Sequence, residues 1–584
     1  MIRLKTPVLL ISLLLILGAG RVLASPPEGE APFSVKLPQV ALSGVPFSLT
    51  IHPSLAAFLG QDSLPTSYQV LDGEGKVLAS GQKSFSLSES PDIEIDKLTL
   101  HHAGSNALTI TVGAHSQSAS LHTIPAFLSL VPPLLAILIA LISRQVIVAL
   151  FFGVWIGVTL IYNYNLITGF FYTFDKYLIS TLANADHVYI LVFSLVLGGM
   201  VGVISKAGGT QGIVERMSAY AKGPRGGQVS TWLMGILIFF DDYANTLIVG
   251  NTMRPLTDRL RISREKLSYL VDSTAAPVAN IALVSTWIGY EISLINDSFQ
   301  TMGVEQNAYL TFIKTIPLNF YPLFSLAFGL MIAYMLRDFG PMWHAETRAR
   351  QTGHVLRADA TPLAKLDDEA MIADENTPKR SRFALIPVAV VILTVSLGLL
   401  YTGWDPGMEK IGASSEPLSA FRKLSIIIGE SNSFSTLMWA AFLGSLTAIV
   451  MATAGRVLKL TVAMEAWVSG IRAMTMAAVI LSAAWMIGDV CGELFTGAYV
   501  LQITSSFLLP QLIPLFVFIT AAVIAFATGT SWGTMAILMP IAIPLAHQAP
   551  TLDPAIGEAH AMLILLSTTA AVLAGATFGD HCSP

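Results

Sequence analysis

The stretch ILIFFDDYANTLIVG, residues 236–250, sets two adjacent aspartates, Asp241 and Asp242, inside a run that otherwise reads as lipid-soluble. A charged side chain at the centre of a bilayer costs on the order of 2.5–3.5 kcal/mol on insertion scales. Two neighbours there need a counter-ion, a proton or water. No Lys or Arg lies between residues 228 and 251 to neutralise them. The alternative is that the pair caps a helix start at the cytoplasmic interface, Asp242 bonding backbone N–H groups near Asn245. The apolar flanks, LMGILIFF before and LIVG after, count against an interface.

The rest of the chain sets the frame for that stretch. Hydrophobic residues make up 53% and charged residues 12% of 584, well off the balance of a soluble globular chain. The composition is that of a polytopic α-helical membrane protein in contact with the lipid bilayer. A formal charge of -5 and the lack of a basic face exclude nucleic acid as a partner. Cys491 and Cys582 both lie in apolar segments and give neither a disulfide framework nor a spaced zinc site. The N-terminus carries Arg3 and Lys5, then VLLISLLLILG, then VLAS, the order expected of a signal peptide over residues 1–24. An uncleaved anchor is the alternative, and either one places residue 26 onward outside the cytoplasm.

Residues 26–122 change character. FSVKL, FSLTI, IEIDKLTL and NALTITVG are short alternating runs between Gly, Pro, Asn and Asp, and DGEG within SYQVLDGEGKVLA is a hairpin signal. We expect an extracytoplasmic β-sandwich-like domain, immunoglobulin-like in pattern but without the Cys…Trp…Cys signature. It carries no chemistry that the sequence reveals.

From Phe127 onward, apolar runs long enough for a ~30 Å hydrocarbon core fall near 127–143, 145–163, 188–205, 269–295, 316–336, 383–402, 433–454, 473–490 and 561–580. Three crossings bring the chain inside at residue 206, where Lys206, Arg216, Lys222 and Arg225 follow, as the positive-inside rule expects. The next loop carries Arg254, Arg259, Arg261, Arg264 and Lys266. A single crossing between these two groups would export five cations. It would also misplace the loop from Arg337 to Arg382, which holds eight Lys and Arg and reads as flexible. Residues 228–251 are therefore expected to enter from the cytoplasm, turn at Asp241, Asp242, Tyr243, Ala244, Asn245 and Thr246, and return. Non-helical backbone at membrane depth is tolerated only against protein or water, so such a re-entrant tip lines a cavity.

FVFITAAVIAFATGTSWGTMAILMPIAIPLA, within 508–547, behaves as a mirror of the first segment. It breaks at Thr528, Gly529, Thr530, Ser531, Trp532 and Gly533 and lacks Lys and Arg on both flanks. DSTAAPVANIALVSTW follows the first hairpin and STTAAVLAGATFGDHCSP the second, a weak internal repeat with opposite flank charge. Two inverted halves with two re-entrant hairpins and broken helices are expected, the pattern in which half-helix ends and unwound carbonyls supply an ion site in secondary transporters. Na+ is a hard cation that prefers oxygen ligands. Competition of Na+ and H+ for Asp241 and Asp242, a coupled pair, is antiport in its simplest form once the site faces the two sides in turn.

FFDDYANTLIVGNTMRPLTDRLRISREKLSYLVDSTAAPVA, ATGTSWGTMAILMPIAIPLA and the terminal GATFGDHCSP closely resemble the NhaC-type sodium/proton antiporter family over roughly residues 127–584. The resemblance implies hairpin-plus-broken-helix repeats, the first about 188–336 and the second about 433–584, and electrochemically driven exchange in the cytoplasmic membrane. Similar sequences exchange organic acids or amino acids. The family pattern continues past GDHCSP whereas this sequence stops at Pro584, so either the sequence is truncated or the second broken helix is incomplete.

Asn245 and Thr246 can add amide and hydroxyl oxygens to an ion shell, and Thr528, Thr530, Ser531 and Thr534 can do so from the other tip. Ser and Thr also bond backbone carbonyls in ordinary transmembrane helices. Ser273, Thr274 and Asn280 flank Pro277, which removes one helical N–H and frees a carbonyl; a packing kink is the alternative. Asp580 and His581 stand where the second helix should unwind, and His suits a proton relay; an interfacial tail is the alternative. Asp489 and Glu493 are further candidates for a proton path, and Glu291 reads as lying near the outer interface. Two rivals of other classes find less support. Consecutive Asp580, His581 and Cys582 point in different directions for a membrane enzyme, and a receptor would need a cytoplasmic output domain. No cofactor is expected beyond the transported Na+, and the sequence leaves a homo-oligomer open.

Overall fold

The computed structural model describes residues 33–53, 63–86, 92–113, 115–143, 145–218, 221, 223–357, 373, 377–413, 418–504, 509–528, 530–552 and 556–582. The signal peptide expected over residues 1–24 lies outside them, as do Gly529 and the last two residues. The chain forms two compact units. The first takes in the described residues of Met1–Pro38, Pro46–Thr99 and Ser105–Leu121, and the second Gln39–Val45, Leu100–Gly104 and His122–Pro584.

The N-terminal region is built of strands. These are β1 (Phe33–Lys36), β2 (Ala41–Leu42), β3 (Phe47–Pro53), β4 (Ser63–Asp72), β5 (Val77–Ser86), β6 (Ile93–Leu98), β7 (Gly104–Val112) and β8 (His115–Ile124). They form one sheet in the order β1-β3-β6 and another in the order β2-β8-β7-β4-β5. Alternation decides which face is buried: Ile93, Ile95 and Leu98 of β6 are buried while Glu94, Asp96 and Lys97 are exposed. The DGEG hairpin forms as its sequence signals. Asp72 Oδ1 accepts from the N–H groups of Glu74 and Lys76 at 3.0 and 2.8 Å, and Gly75 takes φ +82°. Strand β8, HSQSASLHTI, was not expected, because its polar residues hide the alternation.

The second unit is mostly helical. Its helices include α1 (Val131–Ser143), α2 (Val146–Ile161), α3 (Ala185–Lys206), α4 (Pro224–Leu237), α5 (Asp242–Arg259), α6 (Arg264–Ile281), α7 (Thr286–Met302), α8 (Phe320–Met335), α9 (Gly340–Thr352), α10 (Arg382–Gly412), α11 (Ser433–Ala454), α12 (Leu460–Glu493), α13 (Ile513–Thr528), α14 (Ser531–Gln548) and α15 (Glu558–His581). Among the described residues eight helices are long and apolar enough to cross a membrane, or up to ten if each of two bent pairs is one span. One pair joins α2 to the segment Leu166–Ala183 at 120°, the other joins α6 to α7 at 45°. The expected single span 269–295 is thus two helices. Helix α6 ends at Ile281, and Ser285 restarts the chain as the cap of α7, its Oγ accepting from Ile288 N–H at 3.2 Å.

Both expected hairpins are present as helix–turn–helix units whose arms return to their starting end. For the first, a Cβ added to Gly227 at the start of α4 would lie 2.6 Å from Leu260 Cδ1, just past α5. For the second, Ile513 at the start of α13 clusters with Leu545 and Ala549 at the end of α14. The turn of the first hairpin differs from expectation. It comprises Ile238 to Asp241, and Asp242 to Thr246 form the first turn of α5 rather than an unwound tip.

Helix pairs approach closely where glycine removes the side chain. A Cβ on Gly470 of α12 would lie 2.1 Å from the Gly198 carbonyl of α3, and one on Gly202 2.2 Å from the Ala466 carbonyl. The GATFG motif acts likewise: a Cβ on Gly579 would meet the Ala522 carbonyl of α13 at 2.2 Å, and one on Gly575 the Phe518 carbonyl at 2.5 Å.

The segment after Arg337 is less open than its composition suggests. Helix α9 is anchored by Glu346, 2% exposed. Its Oε1 accepts from Ser263 N–H and Oγ at 2.7 and 2.8 Å, and its Oε2 from Gln228 Nε2 at 3.2 Å. One carboxylate therefore ties the start of α4 to the start of α6. Lys266, read as part of a basic loop, is fully buried in an ion pair with Asp338. Most of residues 358–376 lies outside the described set.

Candidate functional site

The first turn of α7 stands between the two hairpin turns. On one side, Thr286 N–H donates to Phe240 O at 2.9 Å and Thr286 Oγ1 to Asp241 Oδ2 at 3.0 Å. On the other, Tyr290 OH donates to Trp532 O at 2.6 Å, and the Trp287 and Trp532 rings lie 5.8 Å apart. Asp241 is 3% exposed and Thr286 1%. The two aspartates, adjacent in sequence, address different helices. Asp241 meets the N-terminal turn of α7, whereas Asp242 occupies the first turn of α5. A helix N-terminus favours a nearby negative charge by about 0.3–1 kcal/mol, against the ~2.5–3.5 kcal/mol that each charge costs at mid-bilayer. The dipoles offset part of such a cost.

Asn245 explains how α4 breaks without glycine or proline at the turn. Its Nδ2 lies 2.7 Å from Gly235 O, 3.1 Å from Ile238 O and 3.3 Å from Thr274 O, satisfying carbonyls at the frayed end of α4. Its Oδ1, fully buried, has no hydrogen-bond partner. That oxygen is what this side chain offers an ion; the nitrogen is committed to the backbone. Thr246 is exposed and stands apart.

Helix α4 lies flush on α6 at Gly235, where an added Cβ would sit 1.8 Å from Thr274 Oγ1. Gly235→Ala is expected to cost about 1–3 kcal/mol through overpacking, read as a lowered unfolding midpoint in detergent. Gly250→Ala, with nothing within 4 Å of its Cβ, is the matched control and should leave the midpoint in place.

On α6 the hydroxyls of Ser273 and Thr274 both turn back to Leu270 O, at 3.4 and 2.8 Å. Pro277 lacks the N–H that would bond Ser273 O, and Ser325 Oγ of α8 donates to that carbonyl at 3.5 Å. Asn280, fully buried, donates from Nδ2 to Thr577 Oγ1 at 2.9 Å and Leu573 O at 3.3 Å on α15, and its Oδ1 accepts from Asn319. The second turn is organised similarly. Thr530 caps α14 through Gly533 N–H at 3.3 Å. Thr528 and Thr534 bond Ile524 O and Thr530 O at 2.8 and 2.9 Å, and Ser531 Oγ donates to Asp580 Oδ2 at 3.2 Å. His581 Nδ1 lies 3.0 Å from Tyr321 OH.

The structure therefore gathers Asp241 and Asn245 at one turn, Ser531 and Asp580 at the other, and Asn280 between α6 and α15. The hydroxyls of Ser273, Thr274, Thr528 and Thr534 serve their own helices.

His187 was not anticipated, whereas Asp489 and Glu493 were read as candidates for a proton path. His187 on α3 places Nε2 3.4 Å from Asp297 Oδ1 on α7 and Nδ1 2.8 Å from Thr181 O, and it stacks on Trp485 at 3.7 Å. Asp489 receives Thr181 Oγ1 at 3.4 Å and Glu493 receives Tyr177 OH at 2.8 Å. Glu291, expected near the outer interface, is fully buried. Asn319 was also missed; Asn280 lies within α6 and Asn319 just before α8, with no local pattern to join them.

The model of the Na+/H+ antiporter family matches residues 278–584. The chain belongs to that family. An uncharacterized protein of Haemophilus influenzae is 30% identical over 463 residues, covering 78% of this chain and 82% of its own length. Among solved structures, the YdaH transporter of Alcanivorax borkumensis aligns with a TM-score of 0.42 at 12% identity, over 70% of this chain and 87% of that one. MtrF of Neisseria gonorrhoeae, presented as illuminating a class of antimetabolite efflux pumps, aligns at 0.40 and 13%, over 70% and 84%. Family membership and the apolar helices make this Na+/H+ antiporter family member a multi-pass membrane transporter.

Proposed function

We propose that the protein exchanges Na+ for H+ across the cytoplasmic membrane, the two ions competing for Asp241 and Asp242. The observation that carries this reading is a buried carboxylate, Asp241, held by Thr286 at the start of α7, the helix whose Tyr290 also bonds Trp532 at the second hairpin. Membership of the Na+/H+ antiporter family supports it. In this reading the first hairpin re-enters from the cytoplasm and the second from the opposite side, as inverted repeats. Asn245 Oδ1 and the Ser531–Asp580 pair supply further oxygens, with Thr246, Thr528, Thr530 and Thr534 on the approach and His581 as a proton relay. Na+ is the cargo and no resident cofactor takes part. The N-terminal strands form an immunoglobulin-like domain outside the membrane, behind a signal peptide.

A second reading, a Na+- or H+-coupled carrier of a small organic acid or amino acid, draws on buried amide and hydroxyl groups. Asn319 Oδ1 and Thr568 Oγ1 are buried without partners, more polar capacity than a bare cation uses. Everted vesicles holding a preset proton gradient separate the two. Addition of Na+ or Li+, but not K+, should collapse the gradient. Collapse only when an organic acid or amino acid is supplied would transfer the assignment to the carrier.

A further inference from the structure

Glu291 lies on α7 five residues after Thr286, about 7.5 Å along the helix at 1.5 Å per residue, and six residues before Asp297. Its side chain is fully buried, and neither carboxyl oxygen has a hydrogen-bond or ion-pair partner. Titratable groups on the helices packed against α7 include Asp186, bonded to Gln300, His187, paired with Asp297, Asp489, bonded to Thr181, Glu493, bonded to Tyr177, and Asp272 of α6. Tyr309, on the helix Ala308–Thr315, donates to Leu283 O. Helix α14 brings no Asp, Glu, Lys or Arg.

An isolated ionised carboxylate in such a place costs far more than its neutral acid, and the group takes up a proton instead. The space around Glu291 admits no water-sized ligand, since both oxygens are sealed from solvent. Two hydrogen-bond donors, one on α7 and one on the helix packed against it, are unused. Trp287 Nε1, one turn earlier on the same face, and Trp532 Nε1, whose ring packs on Trp287 and Tyr290, are both buried and both without partners. Neither indole N–H lies within hydrogen-bond reach of Glu291 in this conformation; an ionised carboxylate would take a stronger, charge-assisted hydrogen bond from such a donor than the neutral acid does.

We propose that Glu291 is a second proton-carrying site of the exchange cycle, loaded in the conformation described here and emptied in one where water reaches α7 beside Trp287 and Trp532. This rests on the cation-exchange reading of Asp241 and adds to it a proton bound away from the cation. On release the carboxyl O–H bond breaks, the proton passes to water, and the carboxylate is held by the two indole N–H groups until it is reprotonated from the other side. Glu291 sits between the Asp241–Thr286 contact and the His187–Asp297 pair along one helix, so a shift of α7 acts on all three.

Glu291→Gln keeps the shape and fixes the neutral state. In reconstituted vesicles it should reduce Na+-driven collapse of a proton gradient by about a hundredfold, the scale of a lost proton-transfer group, while exchange of radiolabelled Na+ for unlabelled Na+ persists. Glu291→Asp should retain gradient-coupled exchange. Unchanged coupled exchange in Glu291→Gln overturns the proposal, and equal loss of both exchange modes in Glu291→Gln reduces Glu291 to a structural role. Asp241→Asn separates the two readings: retained Na+ for Na+ exchange in that variant would refute the cation site and leave the Glu291 result standing.

Discussion

Asp241→Asn is expected to abolish Na+-dependent dissipation of a proton gradient. A unit charge about 4 Å from a cation is worth roughly 4 kcal/mol at an effective dielectric of about 20, or about a thousandfold in affinity. The substitution keeps the size of the side chain and its capacity to accept from Thr286 Oγ1, so the fold at the turn should persist. Thr286→Val removes only the hydroxyl that now lies 3.0 Å from Asp241 Oδ2. A hydrogen bond to a charged group contributes about 1.5–3 kcal/mol, so that variant should weaken exchange without eliminating it. Titrating Na+ against a fixed proton gradient for both variants gives the ranking, and a wild-type response from Asp241→Asn would remove the carboxylate from the mechanism.

Lys266→Met is expected to have the largest effect on stability. Lys266 is fully buried and its partner Asp338 is 3% exposed; the ammonium also lies 5.6 Å from the Tyr269 ring. Removing one member of a buried pair strands the other charge, at a cost of about 3–5 kcal/mol, whereas replacing both with apolar residues of similar volume is often neutral. Lys266→Met should therefore unfold at markedly lower temperature in detergent, and Lys266→Met with Asp338→Leu should recover most of the loss. The pair matters to the site because it pins the start of α6, the helix that carries Thr274, Pro277 and Asn280.

The membrane class and both hairpins were legible because charge and apolar length are written locally. Cations on both sides of residues 228–251, and Thr-Gly-Thr-Ser between apolar arms at 528–531, suffice to mark chain reversals. The position of the first turn was not legible for a related reason. Asp, Asn and Thr are as suited to the first turn of a helix as to an irregular tip, and FFDDYANT satisfies both descriptions. The structure joins the two readings that the sequence set apart, since Asp242 begins α5 while Asp241 faces α7. Pairings across the chain left no local trace: His187 meets Asp297 through the fold alone, and Tyr290 meets Trp532, far along the sequence. The basic loop misled for a comparable reason, because Lys266 counts as a surface charge until Asp338 is known to cover it. The segment Leu166–Ala183 escaped notice because Asp175 and Lys176 interrupt its apolar run.

The glycine contacts between α3 and α12 limit how the molecule changes shape. With the Gly198 carbonyl against Gly470 and the Ala466 carbonyl against Gly202, the two helices form a strut in which backbone bears on backbone. Neither can climb past the other by a turn, and α13 is braced on α15 in the same manner. Bending is then expected at the helix breaks beside the site, residues 238–241 and 282–285; the first holds Asp241 and the second leads into Thr286.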